Sequence, residues 1–209
     1  MPYDGRVTLS EYLVRRACAR HSMKIQAVIA GTRLELETAP SLFSPKAVDQ
    51  GSLFLLSQVA LQSTDKVLDL GCGYGVMGIY AAKRCQPEEV YMIDNDPLAV
   101  ELATINANMN EVSTAHVQCS NGFANFRETD FTKILCNPPY HTDFSVAKHF
   151  IEKGFNRLVI GGEMWMVTKR ETWYRNKLTS IFGGVRLFEQ DSYFVFRAIK
   201  KQAAYAKRS

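Results

Sequence analysis

Hydrophobic and polar positions divide the chain into two kinds of pattern. Over residues 8–20, Leu9, Tyr12, Leu13 and Ala17 recur at helical spacing, opposite Arg15, Arg16 and Arg20. Next, Ile25, Ala27 and Ile29 alternate with polar residues, Gly31 marks a turn, and Leu34 and Leu36 alternate back. That pattern predicts a β-hairpin. A third element, a helix from about Ala47 to Leu61, completes this first stretch.

From residue 66 the pattern changes. Short apolar runs of the kind buried on both faces of a parallel sheet alternate with helical segments. The runs are "KVLDL", "EVYMID", "AHVQCS", "KILCN" and "EMWMVTK". Helices are predicted over Val76–Arg84, Pro97–Asn110, Ser145–Gly154 and Glu171–Phe182, with Pro97 at the favoured first position of its helix. "VRLFEQ" and "YFVFRAI" stand too close together for a crossover helix, so they are expected to pair antiparallel. Alternation of this kind predicts an α/β fold with a doubly wound, mostly parallel sheet closed by an antiparallel hairpin. The expected organisation is an N-terminal helix and hairpin over 1–40 and one catalytic domain over 41–209.

Composition narrows the class. The chain has 209 residues, 46% hydrophobic and 22% charged, which suits a packed domain rather than disorder. No apolar run reaches the roughly 18 residues of a membrane helix, and the N-terminus lacks the basic-then-apolar order of a signal peptide. A cytoplasmic location, away from membranes, is therefore expected. Five cysteines without a C-x-x-C pair, and four scattered histidines, predict neither a disulfide framework nor a metal site. The net charge of +4 is uneven: residues 1–24 and 197–209 together carry +8, the middle −4. Basic ends on a mildly acidic body suit a polyanionic partner, most plausibly nucleic acid, although solvated termini carry the same charges.

Chemistry concentrates at four successive strand ends, where open α/β sheets form their ligand crevice. The first carries "LDLGCGYGVMG", with Gly71, Gly73 and Gly75 between a strand and a helix. Such glycines let backbone bend tightly and approach a ligand. "GYGVMG" also fits the dinucleotide fingerprint, with Asp94 about twenty residues on, so a nicotinamide-dependent oxidoreductase is one reading. Three features favour S-adenosylmethionine. Asp69, beside the turn, disfavours a pyrophosphate and suits the cationic methionine end. Asp94 of "IDND" is placed to accept ribose hydroxyls. Asn121 of "CSNGF" is placed to meet the adenine edge. Each acid taken alone also fits a helix cap or a solvated turn.

The fourth strand end carries "CNPPYH". Two prolines remove two donors and rigidify the backbone, leaving acceptors. Asn137 and the carbonyl of Pro138 are expected to hold the two hydrogens of a planar NH₂ group, with Tyr140 stacking on the base. A delocalised NH₂ nitrogen is a poor nucleophile, so the task is alignment with a sulfonium methyl group rather than strong base catalysis. Cys136, ending an apolar strand, is expected to be an inert buried thiol rather than a nucleophile.

"VLDLGCGYGVMGI", "IDNDPLAVELATINANMN" and "CSNGF…ILCNPPYH" together resemble the class I S-adenosylmethionine methyltransferases that modify exocyclic amines. The chain is most similar in pattern to the small-subunit ribosomal RNA guanine-N2 methyltransferases and their archaeal single-domain relatives. "LFSPKAVDQGSLFLL", "GGEMWMVTKR" and "IFGGVRLFEQDSYFVFRAIK" extend that resemblance over about 42–200. It implies a seven-stranded sheet with its last strand antiparallel. It also implies that Gly71, Cys72, Gly73 and Gly75 line the cofactor, that Asp94 and Asn95 hold its ribose and that Asn121 and Gly122 hold its adenine. Asn137, Pro138, Pro139 and Tyr140 would hold the target amine. Bacterial members often carry a degenerate methyltransferase domain ahead of the catalytic one. Here helix and hairpin are expected in its place, contributing to RNA recognition. His141 is expected either to touch substrate or to turn the loop. Adenine-N6 and protein glutamine-N5 methyltransferases use similar loops and stand as alternatives, as does a catalytically silent RNA-binding protein.

Overall fold

A computed structural model describes residues 22–139 and 144–206. The expected helix over 8–20, Tyr140 and His141 lie outside the described residues. Strands β1 (Met23–Ile29) and β2 (Thr32–Thr38) form the expected hairpin. Its two-residue turn, Ala30-Gly31, has positive φ at both positions, 44° and 80°, matching the twist of the strands it joins.

Seven further strands build the main sheet: β3 (Val67–Leu70), β4 (Val90–Asp94), β5 (His116–Cys119), β6 (Phe131–Cys136), β7 (Leu158–Thr168), β8 (Arg186–Gln190) and β9 (Tyr193–Ile199). Their order is β5-β4-β3-β6-β7-β9-β8. The pairings from β5 through β7 are parallel, and β9 runs antiparallel to both β7 and β8. The doubly wound sheet, its seven strands and its antiparallel last strand agree with expectation.

Among the described residues, five α-helices cover the sheet: α1 (Gln50–Gln58), α2 (Val76–Ala82), α3 (Pro97–Met109), α4 (Phe144–Arg157) and α5 (Glu171–Phe182). Helices α1, α2 and α3 pack on one face, α4 and α5 on the other, giving two separate core clusters. Local chemistry sets the helix ends. Asp96 caps α3 by accepting from the Leu98 N–H at 2.9 Å, with Pro97 following. Gly183, at φ 79°, closes α5 and donates to the Thr179 carbonyl. Helix α4 buries Ala147, Phe150, Ile151, Gly154 and Phe155, a stripe at i, i+3, i+4, i+7 and i+8. Full burial of side chains such as Ile151 and Phe155 contributes about 1.5–3 kcal/mol each.

Two boundaries depart clearly from expectation. The helix expected from about Ala47 to Leu61 spans Gln50–Gln58, with Asp49 as its cap and Val59 already extended. The sequence pattern starts β7 at Glu163, with the run "EMWMVTK". The strand instead begins at Leu158, directly after α4, and the glycines form an irregularity in the ladder. Gly161 adopts φ 88°, its N–H donates to the Lys200 carbonyl at 2.7 Å, and the Lys200 N–H donates to the Gly162 carbonyl at 2.9 Å. Pairing continues through the pair, as in a β-bulge.

The hairpin docks through two asparagines. The Asn106 amide accepts from the Glu37 N–H at 2.6 Å and donates to the Glu37 carbonyl at 2.8 Å. One turn later Asn110 accepts from the Glu35 N–H at 3.1 Å and donates to the Glu35 carbonyl at 2.7 Å. Four helical residues rise about 6 Å and two strand residues about 6.7 Å, so the spacings match. Leu34 and Leu36 enter the same core cluster as α1, α2 and α3. Among the described residues, no helix is long and apolar enough to cross a membrane.

Candidate active site

A cleft of about 460 Å³ opens at the C-terminal ends of β3, β4 and β6. That is an ordinary size for a small-molecule site. Its floor is the turn after β3. Gly71, Gly73 and Gly75 all adopt positive φ, 76°, 55° and 95°, which lets the five residues 71–75 reverse from strand to helix. The turn is held from below: the N–H groups of Gly71 and Cys72 donate to the Ile93 carbonyl at 2.9 and 3.0 Å. It is held from the side by Asp94, whose Oδ2 accepts from the Gly73 N–H at 2.8 Å and whose Oδ1 accepts from the Asp96 N–H at 3.0 Å. A Cβ on Gly73 would meet nothing within 4 Å, so the turn leaves open space above it.

Ten of the expected residues line this cleft together: Gly71, Cys72, Gly73, Asp94, Asn95, Asn121, Gly122, Asn137, Pro138 and Pro139. Two do not. Asp69, expected at the methionine end of the cofactor, is fully buried beneath the turn. Its Oδ2 accepts from the Gly78 N–H at 2.7 Å, satisfying a first-turn donor of α2 that has no partner within the helix. Strand pleating explains the direction: Asp69 shares a face with Val67, toward α2, two residues along the strand. Gly75 likewise faces away from the cleft. A Cβ there would lie 3.0 Å from Ile79 Cδ1 and 3.2 Å from Ala103 Cβ, so this glycine permits close packing of the turn on α3.

The carboxyl of Asp69 is pushed up to about 7, chiefly by burial and further by Asp94, with the Gly78 hydrogen bond opposing. Burial also pushes the thiols of Cys72 and Cys136 well above their usual range, with Asp69 and Asp94 adding to it. Cys136 is fully buried and stays a thiol, which removes it as a nucleophile.

The segment 41–52 forms the other wall, and sequence reasoning gave it no role beyond resemblance. Asp49 caps α1, its Oδ2 accepting from the Ser52 N–H at 2.9 Å. The same oxygen accepts from Asn137 Nδ2 at 2.9 Å, and Ser52 Oγ accepts the other amide hydrogen at 2.9 Å. A carboxylate only accepts, so Asp49 fixes which way the amide points. Tyr193 Oη donates to Asp49 Oδ1 at 3.3 Å. Gly51 makes room for that tyrosine, since a Cβ would stand 2.7 Å from its ring. The ring of Phe43, 56% exposed, lines the cleft, as do Ser44, Met77 and Phe150. Tyr74 ties wall to floor by donating to the Ser44 carbonyl at 3.1 Å. Asp49 is a residue type that caps helices, a signal the expected helix start at Ala47 passed over, and Phe150 lies in an expected helix; their convergence on Asn137 and the cleft is not encoded locally.

A family model for the methyltransferase small domain matches residues 33–197. The chain belongs to the methyltransferase small domain family. Its seven-stranded sheet with a reversed last strand is the class I methyltransferase fold. Two solved structures bear this out. The Thermus thermophilus 16S rRNA N2 G1207 methyltransferase RsmC, solved with AdoMet and guanosine, superposes with a TM-score of 0.78 at 25% identity, over 86% of this chain and 51% of that one. A Pyrococcus furiosus methyltransferase matches in fold, with a TM-score of 0.64 at 19% identity over 95% of this chain and 99% of that one. Among curated proteins, the ribosomal RNA large subunit methyltransferase G of Aeromonas hydrophila is 32% identical over 181 residues, 83% of this chain and 48% of the relative. That of Alteromonas mediterranea is 30% identical over 184 residues, 82% and 45%. The chain spans about half the length of the curated relatives it matches.

Proposed function

We propose that this methyltransferase-family chain transfers a methyl group from S-adenosylmethionine to the exocyclic amine of a nucleobase in RNA, guanine N2 of ribosomal RNA above all. The observation that carries the reading is the fixed amide of Asn137. Its amide hydrogens go to Asp49 and Ser52, which sets its orientation on the cleft wall, and its carbonyl oxygen can only accept. An acceptor there suits an NH₂ group and selects against a carbonyl edge. The ribosomal RNA methyltransferases among the relatives, RsmC and the two large subunit methyltransferases G, and the basic ends of the chain support RNA over protein.

The cleft fits S-adenosylmethionine: the glycine turn leaves open space over Gly73, and the carboxylates of Asp94 and Asp96 border it. In this reading Gly71, Cys72 and Gly73 would pass along the cofactor. Asp94 and Asn95 would hold its ribose, and Asn121 and Gly122 its adenine. S-adenosylmethionine supplies the electrophilic methyl group. The chain's part is orientation: Asn137 draws one amine hydrogen, Pro138 and Pro139 keep the backbone rigid, and Tyr140 stacks on the base. The alkylated nitrogen is acidic enough to release its proton to water, so no dedicated base is needed. Residues 1–40 would serve as an RNA-recognition appendage to a catalytic unit over 41–209.

Mass spectrometry of nucleosides from ribosomal RNA incubated with the chain and cofactor tests this. N2-methylguanosine is expected. N6-methyladenosine, or methylated glutamine in protein with unmodified RNA, would replace the reading with one of its alternatives. Asn137→Ala is expected to abolish transfer while cofactor affinity stays within a few fold.

A further inference from the structure

Outside the cleft, five side chains flank the C-terminal end of β7 in two groups joined by the adjacent residues Lys169 and Arg170. Lys169 Nζ lies 4.7 Å over the ring of Tyr193. Arg170, the next residue, lies 5.2 Å over Phe144, and Phe144 stacks on Trp173 with centroids 4.3 Å apart and planes 14° from parallel. The strip borders the candidate substrate wall. Cys136 pairs with Met166, so Lys169 and Arg170 leave the sheet beside Asn137–Pro139. Tyr193 reaches Asn137 through Asp49. Phe144 opens α4 two residues before Val146, which lines the cleft.

Lys169 and Arg170 are exposed, and neither forms an ion pair among the described residues. The acids carried beside them are engaged: Glu171 by Arg175, and Asp49 by Ser52, Asn137 and Tyr193. The rings of Tyr193, Phe144 and Trp173 are only half-buried. Cations held over half-exposed rings are the combination that binds single-stranded nucleic acid, the cations tracking phosphates and the rings receiving bases.

We propose that this strip holds the nucleotides flanking the target base, as single-stranded RNA. The inference rests on the RNA reading above and deepens it. A base that enters the cleft must leave its stack, and its neighbours then lose a stacking partner. Trp173 and Tyr193 offer replacement surfaces, and Lys169 and Arg170 neutralise the adjoining phosphates.

The test uses the whole chain and a fluorescent single-stranded oligoribonucleotide, titrated by anisotropy across a range of salt. For Lys169→Gln/Arg170→Gln, affinity at low salt should fall at least tenfold. The slope of log affinity against log salt should become shallower by about 1.4, from about 0.7 per lost single-strand phosphate contact. Trp173→Ala should weaken binding about tenfold with the slope unchanged, as loss of one stacked base does. Both variants should retain wild-type cofactor affinity, and the double variant the wild-type melting temperature, which a merely structural strip would not; Trp173→Ala also loses packing on Phe144, so its RNA affinity is read well below its own melting temperature. Unchanged slope in the double variant, or salt-insensitive RNA binding by the wild type, would overturn the proposal. Nucleoside analysis reads the methylation reaction separately, so a product other than methylguanosine removes that reading while the slopes still decide the strip.

Discussion

Asp49 accepts from three groups that come from three distant parts of the chain: Ser52, Asn137 and Tyr193. Replacing it with alanine removes a helix cap, about 1 kcal/mol, and takes away one of the acceptors that orient the Asn137 amide. A misplacement of about 1 Å at a reacting group is enough for a hundredfold loss of rate. Asp49→Ala should therefore lower kcat about 10- to 100-fold, with the KM for S-adenosylmethionine little changed. Steady-state kinetics on purified ribosomal RNA would check this, and an unchanged kcat would sink the positioning role. Asp69 allows a different prediction at the same scale. In the folded chain it titrates at about 7, against ~3.9 for an unperturbed aspartate. Between those values the native state keeps a proton that the unfolded state has lost, so stability falls as pH rises. The contribution of neutral Asp69 is complete below pH ~4 and gone above about 7. Asp69→Asn keeps an acceptor for the Gly78 N–H and has no proton to lose. Between pH 5 and 8, the wild-type melting temperature should drop relative to that of the variant; parallel curves would refute the shift.

Elements show where sequence reasoning held and where it stopped. Strands β3, β4 and β6 were legible because strands buried on both faces read as continuous apolar runs. Helix α5 was legible because Gly183 ends its pattern. The first half of β7 was not, because Gly161-Gly162 carries the same letters in a turn and in a bulge. In the site, the glycine turn and Asn137 were legible because strand ends are local features. The Asp49–Asn137 contact joins residues 88 apart, and no local pattern encodes it. The direction of Asp69 was encoded in the two-residue period of β3, but the chemistry of a carboxylate beside a glycine turn suggested otherwise. Hairpin docking is another non-local feature. Asn106 is fully buried and donates to the Tyr74 carbonyl at 2.8 Å as well as to Glu37, so it joins β2, α3 and the glycine turn. Asn106→Ala strands the Glu37 N–H and two carbonyls. Leaving buried polar groups unpaired costs about 1–3 kcal/mol each, with relaxation reducing the sum, so a loss of about 2–4 kcal/mol is expected in urea unfolding. Amide exchange at Glu37 should accelerate alongside; wild-type exchange and stability would show that the clamp carries no weight.

At the scale of the whole molecule, the cleft is built from parts that belong to both core clusters. Met77 and Ala99 come from the α1–α3 side, and Leu70, Ile93 and Phe150 from the α4–α5 side. A ligand seated there contacts both clusters at once, and binds only when both are folded. Binding to the native state alone stabilises it by about 2.7 kcal/mol at a concentration 100 times Kd. For a chain of 209 residues, 1 kcal/mol moves the melting temperature about 2–4 °C, so S-adenosylmethionine at that excess should raise it by about 5–10 °C. NAD presents a pyrophosphate where the cleft carries Asp94 and Asp96, and two carboxylates beside a dianion oppose binding. It should give no shift at the same concentration. A larger shift with NAD than with S-adenosylmethionine would reverse the reading of the glycine turn, because both ligands fit its backbone and only the surrounding charge separates them.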